Sequence, residues 1–131
     1  MKGSRVLLKS SRRSLTILLI DDEPAILSLQ RALFETLGYS VLTAGSDEEA
    51  LTAMQAHPFD AVVLDYLMPT MDVEETARRI RKAHGNVPIV VTSALKSLPG
   101  PLAEIVDASV EKERGLVALV REVEKLLPPV N

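Results

Sequence analysis

The chain has 131 residues, no cysteine, two histidines, 47% apolar and 25% charged residues, and a formal net charge of −3. Length and composition describe one domain with a core of its own and argue against disorder or a membrane protein. Without thiols, disulfides, thiolate metal sites and thiol nucleophiles are excluded, so any bound metal is held by oxygen.

The charge is unevenly spread. Lys2, Arg5, Lys9, Arg12 and Arg13 fall in a segment without acids, and the remainder carries about −8, which disfavours nucleic acid as a partner of the domain itself. Residues 1–14 therefore read as a basic, flexible leader, 15–127 as the domain and 128–131 as a tail. Two arginines ahead of an apolar run superficially resemble a twin-arginine export signal. The run from Leu15 to Ile20 is, however, shorter than the ~7–15 apolar residues such a signal needs and stops at Asp21. A cytoplasmic location is expected, with no membrane contact.

Strand-length apolar runs then alternate with segments of helical period, the signature of a parallel sheet. Leu15 to Ile20 is the first strand. Pro24 suits the first turn of a helix whose apolar positions Ile26, Leu29, Leu33 and Leu37 share a face, and Gly38 ends it. Ser40 to Ala44 is a second strand. Ser46 with Glu49 forms a capping box that opens a helix through Ala50, Leu51 and Met54. "DAVVLD" is a continuous apolar strand ending at Asp65, and "YLMPTMD" is a loop in which Pro69 blocks both pairing and helix. Asp72 caps a helix from about Val73 to Ala83. "PIVVT" is the fourth strand. Pro99, Gly100 and Pro101 delay any fourth helix to about Leu102 and keep it short. Ala108 to Val110 is a brief fifth strand, and "GLVALVREVEKLL" is a last amphipathic helix ended by Pro128 and Pro129.

Five strands joined by helices indicate a doubly wound α/β sheet of order 2-1-3-4-5, which sets strands one and three side by side with the ligand crevice beyond their carboxyl ends. Asp21 and Asp22 end the first strand and Asp65 the third, so three carboxylates are expected in one crevice. Two like charges ~4 Å apart repel by roughly 4 kcal/mol at an effective dielectric near 20, so a cation belongs there. Mg²⁺, which takes one or two carboxylates, waters and a phosphate, fits best. Ser93 or Thr92 and Lys112 arrive at the same edge from strands four and five. Together these groups supply what phosphoryl transfer needs: an in-line nucleophile, a metal and fixed donors. Taken singly, Asp21 and Asp22 would be helix-start acids, as Glu23 is. His57 and His84 sit at helix ends, and Met54, Met68 and Met71 read as packing or loop residues.

"LLIDDEP", "VVLDYLMPTMD", "PIVVTSA" and the isolated Lys112, in that order, resemble the receiver domain of two-component response regulators over about Leu15 to Leu127. The resemblance implies a flavodoxin-like fold, Asp65 as phosphoacceptor, and Asp21, Asp22, Asp65 and the Leu67 carbonyl as Mg²⁺ ligands. It also implies Ser93 as the switch hydroxyl and Lys112 as the phosphate-binding lysine. The implied reaction takes a phosphoryl group from a phosphohistidine, on a histidine kinase or phosphotransfer protein, and later hydrolyses it. The implied output is a downstream domain or protein, with a dimer on phosphorylation as one expected form.

The chain departs from the family pattern at four places. Val73 stands for the usual Gly, Glu113 for the Pro after the lysine, and Ser109 for the aromatic that reports the switch, while the stretch between Ser93 and Lys112 is a few residues short. Two other readings compete with the switch. One is a receiver-like docking module that does not switch. The other is a metal-dependent phosphatase, against which Leu67 stands where haloacid-dehalogenase-like phosphatases carry a second acid. The resemblance puts Leu67 and Leu95, two residues beyond Asp65 and Ser93, beside the path of the hydrolytic water, and since neither can orient it by hydrogen bonding, slow self-dephosphorylation is expected.

Overall fold

The computed structural model describes residues 15–69 and 71–128; the expected leader, Thr70 and the last three residues of the tail lie outside them. Five parallel strands form one sheet: β1 (Thr16–Ile20), β2 (Ser40–Ala44), β3 (Ala61–Asp65), β4 (Ile89–Ser93) and β5 (Ala108–Glu111), in the order β2-β1-β3-β4-β5. The connecting helices are α1 (Pro24–Thr36), α2 (Asp47–Ala56), α3 (Val73–His84), α4 (Gly100–Ile105) and α5 (Gly115–Leu126), with a 3₁₀ turn at Lys112–Arg114. This is the doubly wound order expected of the alternating pattern.

Both faces of the sheet are covered, which is why β1, β3 and β4 read as unbroken apolar runs. One face carries Leu18, Ile20, Val62, Leu64 and Val91 against α2, α3 and α4. The other carries Ile17, Leu19, Val63, Val90 and Val110 against Phe34 of α1 and Leu119, Val120 and Val123 of α5. Side chains alternate along a strand, so positions 17, 19 and 21, 61, 63 and 65, and 90 and 92 all belong to the α1/α5 face.

Local signals in the chain set the element ends. Gly38 takes φ 100° and stops α1. Ser46 Oγ accepts from the Glu49 N–H at 3.2 Å, and Glu49 answers by accepting from the Gly45 N–H at 2.7 Å, one residue earlier than a standard capping box. Asp72 Oδ1 accepts from the Glu75 N–H at 3.0 Å to start α3.

Two expectations are corrected. Helix α4 begins at Gly100 rather than Leu102, because Pro101 falls in its first turn, where the missing N–H has no intrahelical partner to lose. On α1 the buried positions are Gln30 and Phe34, with Leu27 and Leu33 partly covered, while Leu29 and Leu37 are exposed. Leu29 and Leu37 of the expected stripe face away from the sheet because Phe34, packed edge-on against Tyr39 at 5.8 Å, fills the core position.

The foot of β5 is held by Arg81 of α3. Its guanidinium donates to the carbonyls of Gly85, Val87 and Ile105 and to Asp107 Oδ2 at 2.8 Å, and Asp107 in turn accepts from the Ile89 N–H. Arg81→Ala is expected to lower unfolding stability by about 2 kcal/mol in urea titration, since the carbonyls it serves lose a charge-assisted donor.

Candidate functional site

The acidic cluster forms as strand pairing dictates. β1 pairs with β3 through Ile20 and Leu64, so Asp21 and Asp65 follow one residue later on adjacent strands and on the same face. One oxygen each of Asp21, Asp22 and Asp65 lies within 4.8 Å of the others. Asp21 and Asp65 are buried, at 2% and 1% exposure, and Asp22 is half-buried. Glu23 is exposed and its N–H donates to Asp21 Oδ1 at 2.9 Å, so it opens α1 without joining the cluster.

Lys112 reaches the cluster from β5, its Nζ 2.8 Å from Asp65 Oδ1. It follows positions 108 and 110 on the α1/α5 face. The 3₁₀ turn directly after β5, released into α5 at Gly115 with φ 87°, carries Glu113 where the family has proline, and the lysine is aimed at Asp65 all the same. Asp65 Oδ1 also accepts from the Leu67 N–H at 3.2 Å. Asp65 Oδ2 is buried and has no hydrogen-bond partner among the described residues. An orphaned buried carboxylate oxygen beside two more carboxylates is a donor set suited to a hard divalent cation.

The electrostatics follow. Burial pushes the Asp21 carboxyl up to about 6, and the Asp65 charge adds to this against the opposing Glu23 N–H and Lys112. Partial burial works against the Lys112 ammonium, but its hydrogen bond to Asp65 and the Asp65, Asp21 and Glu23 charges outweigh that and raise its pKa.

Ser93 is buried at the end of β4, and its Oγ accepts from the Leu95 N–H at 2.9 Å. Thr92, also buried, is the register partner of Asp65 and shares its face, whereas Ser93 follows the opposite alternation. Among the described residues neither hydroxyl bonds to Asp65. Ser109 is exposed on the edge strand opposite Val91, away from the cluster. Leu67 and Leu95 are exposed, and the Leu67 N–H donates to Asp65 Oδ1. Gln30, which the sequence reading passed over, lines the crevice floor beside Asp21 and Lys112. The signal for it was a polar residue three and four positions from Leu27 and Phe34 on the buried stripe.

A family profile, "Response regulator receiver domain", matches residues 17–113. The chain belongs to the response regulator receiver domain family. Among solved structures, this receiver is similar to the response regulator TrrA of Thermotoga maritima in complex with Mg²⁺-BeF. That likeness has 32% identity and a TM-score of 0.76, over 86% of this chain and 99% of that one. It is similar with a TM-score of 0.77 to a chain of the complex of histidine kinase ThkA with TrrA, over 87% of this chain and 99% of that one at 32% identity. Among curated relatives, the receiver is 36% identical to the probable transcriptional regulator ycf27 of Cyanidium caldarium over 69% of this chain and 36% of that protein. It is 32% identical to the transcriptional regulatory protein GlrR of Escherichia coli over 71% of this chain and 21% of that protein. The receiver thus spans about a third or less of these relatives. Receivers are signalling modules of two-component systems, and among the described residues no helix is long and apolar enough to cross a membrane.

Because the folded-state pKa of Asp21 lies above the ordinary 3.8, the folded chain holds more protons between about pH 4 and 6 and loses stability as pH rises through that window. Without divalent ions, urea unfolding is expected to record a fall on the order of 2 kcal/mol across it. Asp21→Asn should remove that slope and leave the chain more stable at pH 7.

Proposed function

We propose that this receiver takes a phosphoryl group from a phosphohistidine onto Asp65 and that the added charge switches a partner-binding face. The observation that carries this reading is Asp65 itself. It is buried, held at Oδ1 by Lys112, unpartnered at Oδ2, and joined by two more carboxylates. The phosphorus–nitrogen bond to the donor imidazole breaks, the bond to an Asp65 oxygen forms, and the imidazole nitrogen regains a proton. Hydrolysis then returns the carboxylate and releases phosphate.

Asp21, Asp22, Asp65 and the carbonyl of Leu67 would hold Mg²⁺, as an all-oxygen set suits. Bound there, the ion would supply neutralisation of charge on the phosphoryl oxygens. Lys112 fixes Asp65 and offers a donor to the transferred group, and its raised pKa keeps it charged at neutral pH. Ser93, whose hydroxyl hydrogen is free to turn, is the switch hydroxyl in this reading, and moving it would strain the bond it accepts from Leu95. Ser109 would transmit the change less directly than an aromatic, because it is exposed and small. Support for a histidine kinase as donor comes from TrrA, 32% identical, whose complex with ThkA is known. Support for an output domain or protein comes from the transcriptional regulators among the relatives. A cytoplasmic location suits such a partnership.

Incubation with a small phosphodonor and Mg²⁺, followed by intact-mass analysis, is expected to add one phosphoryl group to the chain and none to Asp65→Asn. A chain that gains nothing, or gains equally in the variant, would be a docking module instead. Leu67 is 69% exposed and apolar beside the reacting carboxylate. Leu67→Asn is expected to speed loss of the phosphoryl group roughly tenfold, about 1.4 kcal/mol of barrier, read as the decay of the phosphorylated mass.

A further inference from the structure

A cavity of about 310 Å³ opens beside the acidic cluster, between α1 and α5. Its walls are largely apolar, with Ile26 and Leu29 on one side and Leu116 and Leu119 on the other. Asp21, Glu23, Glu111 and Lys112 also line it, together with two buried uncharged polar residues, Gln30 at 5% exposure and Thr92 at 6%. Among the described residues neither side chain makes a hydrogen bond. Asp65 Oδ2 is the one sealed side-chain polar atom without a partner among the described residues, so the Gln30 carboxamide and the Thr92 hydroxyl stay open to the cavity, where water or a ligand serves them.

Gln30 and Thr92 face the same space from different elements, and the space has the size and the mixture of apolar wall and few polar groups that small-molecule sites have. With Gln30 95% buried at its floor, a flat protein surface resting on the two helices does not reach it, whereas a small molecule does. A carboxamide sets an acceptor oxygen and donor N–H groups side by side. Its complement is a planar edge with a donor next to an acceptor, as in the N6/N7 edge of adenine that glutamine reads with two hydrogen bonds, or a second carboxamide.

We propose that this cavity binds a small planar ligand through a donor–acceptor edge on Gln30, with the Thr92 hydroxyl adding a third bond and the ring lying against Ile26, Leu29 and Leu116. The cavity shares Asp21 and Lys112 with the acidic cluster, so its occupant stands against that site. Any effect of the occupant on phosphoryl transfer rests on the reading of Asp65 given above; the binding does not.

Titration of the full chain with adenine and, separately, with benzamide, followed by amide NMR shifts, tests this. Saturable shifts confined to Leu29, Gln30, Thr92, Leu116 and their neighbours are expected with at least one probe. Adenine alone would mark a nucleobase site, and benzamide alone a carboxamide site. Gln30→Leu, with Gln30→Met as a second variant, should weaken that binding tenfold or more. Failure of the parent chain to accept a phosphoryl group would count against the Asp65 reading and not against the cavity. The proposal is overturned if neither probe gives saturable shifts at these residues, or if the variants bind as the parent does, in which case water alone serves Gln30.

Discussion

The contact between Lys112 Nζ and Asp65 Oδ1 spans the gap between β5 and β3 at the carboxyl edge of the sheet, and the rest of the site is arranged around it. Three carboxylates share that edge, and at separations near 4 Å each pair repels by roughly 4 kcal/mol at an effective dielectric of about 20. One ammonium balances one of them. Burial, with the Asp65 charge adding to it, pushes the Asp21 carboxyl up to about 6, and one buried Asp65 oxygen is left without a donor. Such a cluster is costly to the fold taken alone, and proteins retain that cost where it serves chemistry.

The sheet makes the cluster unavoidable once the strand order is fixed. Residues 21, 65, 92 and 112 lie far apart in the chain, yet each extends a strand on the α1/α5 face. The order β2-β1-β3-β4-β5 brings the ends of those strands to one crevice. A shift of one residue in any pairing would turn its side chain to the opposite face. The anchoring of β5 through Arg81 and Asp107 at its far end therefore bears on the placement of Lys112, although the two lie at opposite ends of the strand.

The strands, their order and the convergence of Asp21, Asp22 and Asp65 were legible in the sequence, because buried parallel strands leave unbroken apolar runs and the acids that end them stand out. The caps at Ser46 and Asp72 were legible for the same reason, as each is a local hydrogen bond between near neighbours. The buried face of α1 was not. Its true stripe contains Gln30, so a search for apolar positions at helical spacing settled on Leu29 and Leu37, which face solvent. The start of α4 was misplaced because a proline in a first turn and a proline that forbids a helix look alike in one dimension. The aim of Lys112 without a following proline, and the way Thr92 rather than Ser93 shares the face of Asp65, depend on a 3₁₀ turn and on the register of β4 against β3, which only the folded chain displays.

In the proposed reading a divalent cation would match the charge left over at Asp65, and the chemistry and the stability of the site would both depend on that match. The most direct measurement is the melting temperature of the metal-free chain at pH 7 as Mg²⁺ is added. A saturable rise in the parent that is absent from Asp65→Asn is the predicted result. A parent that does not respond, or an Asp65→Asn variant that responds equally, would contradict the claim that the buried, half-satisfied carboxylate is a metal ligand.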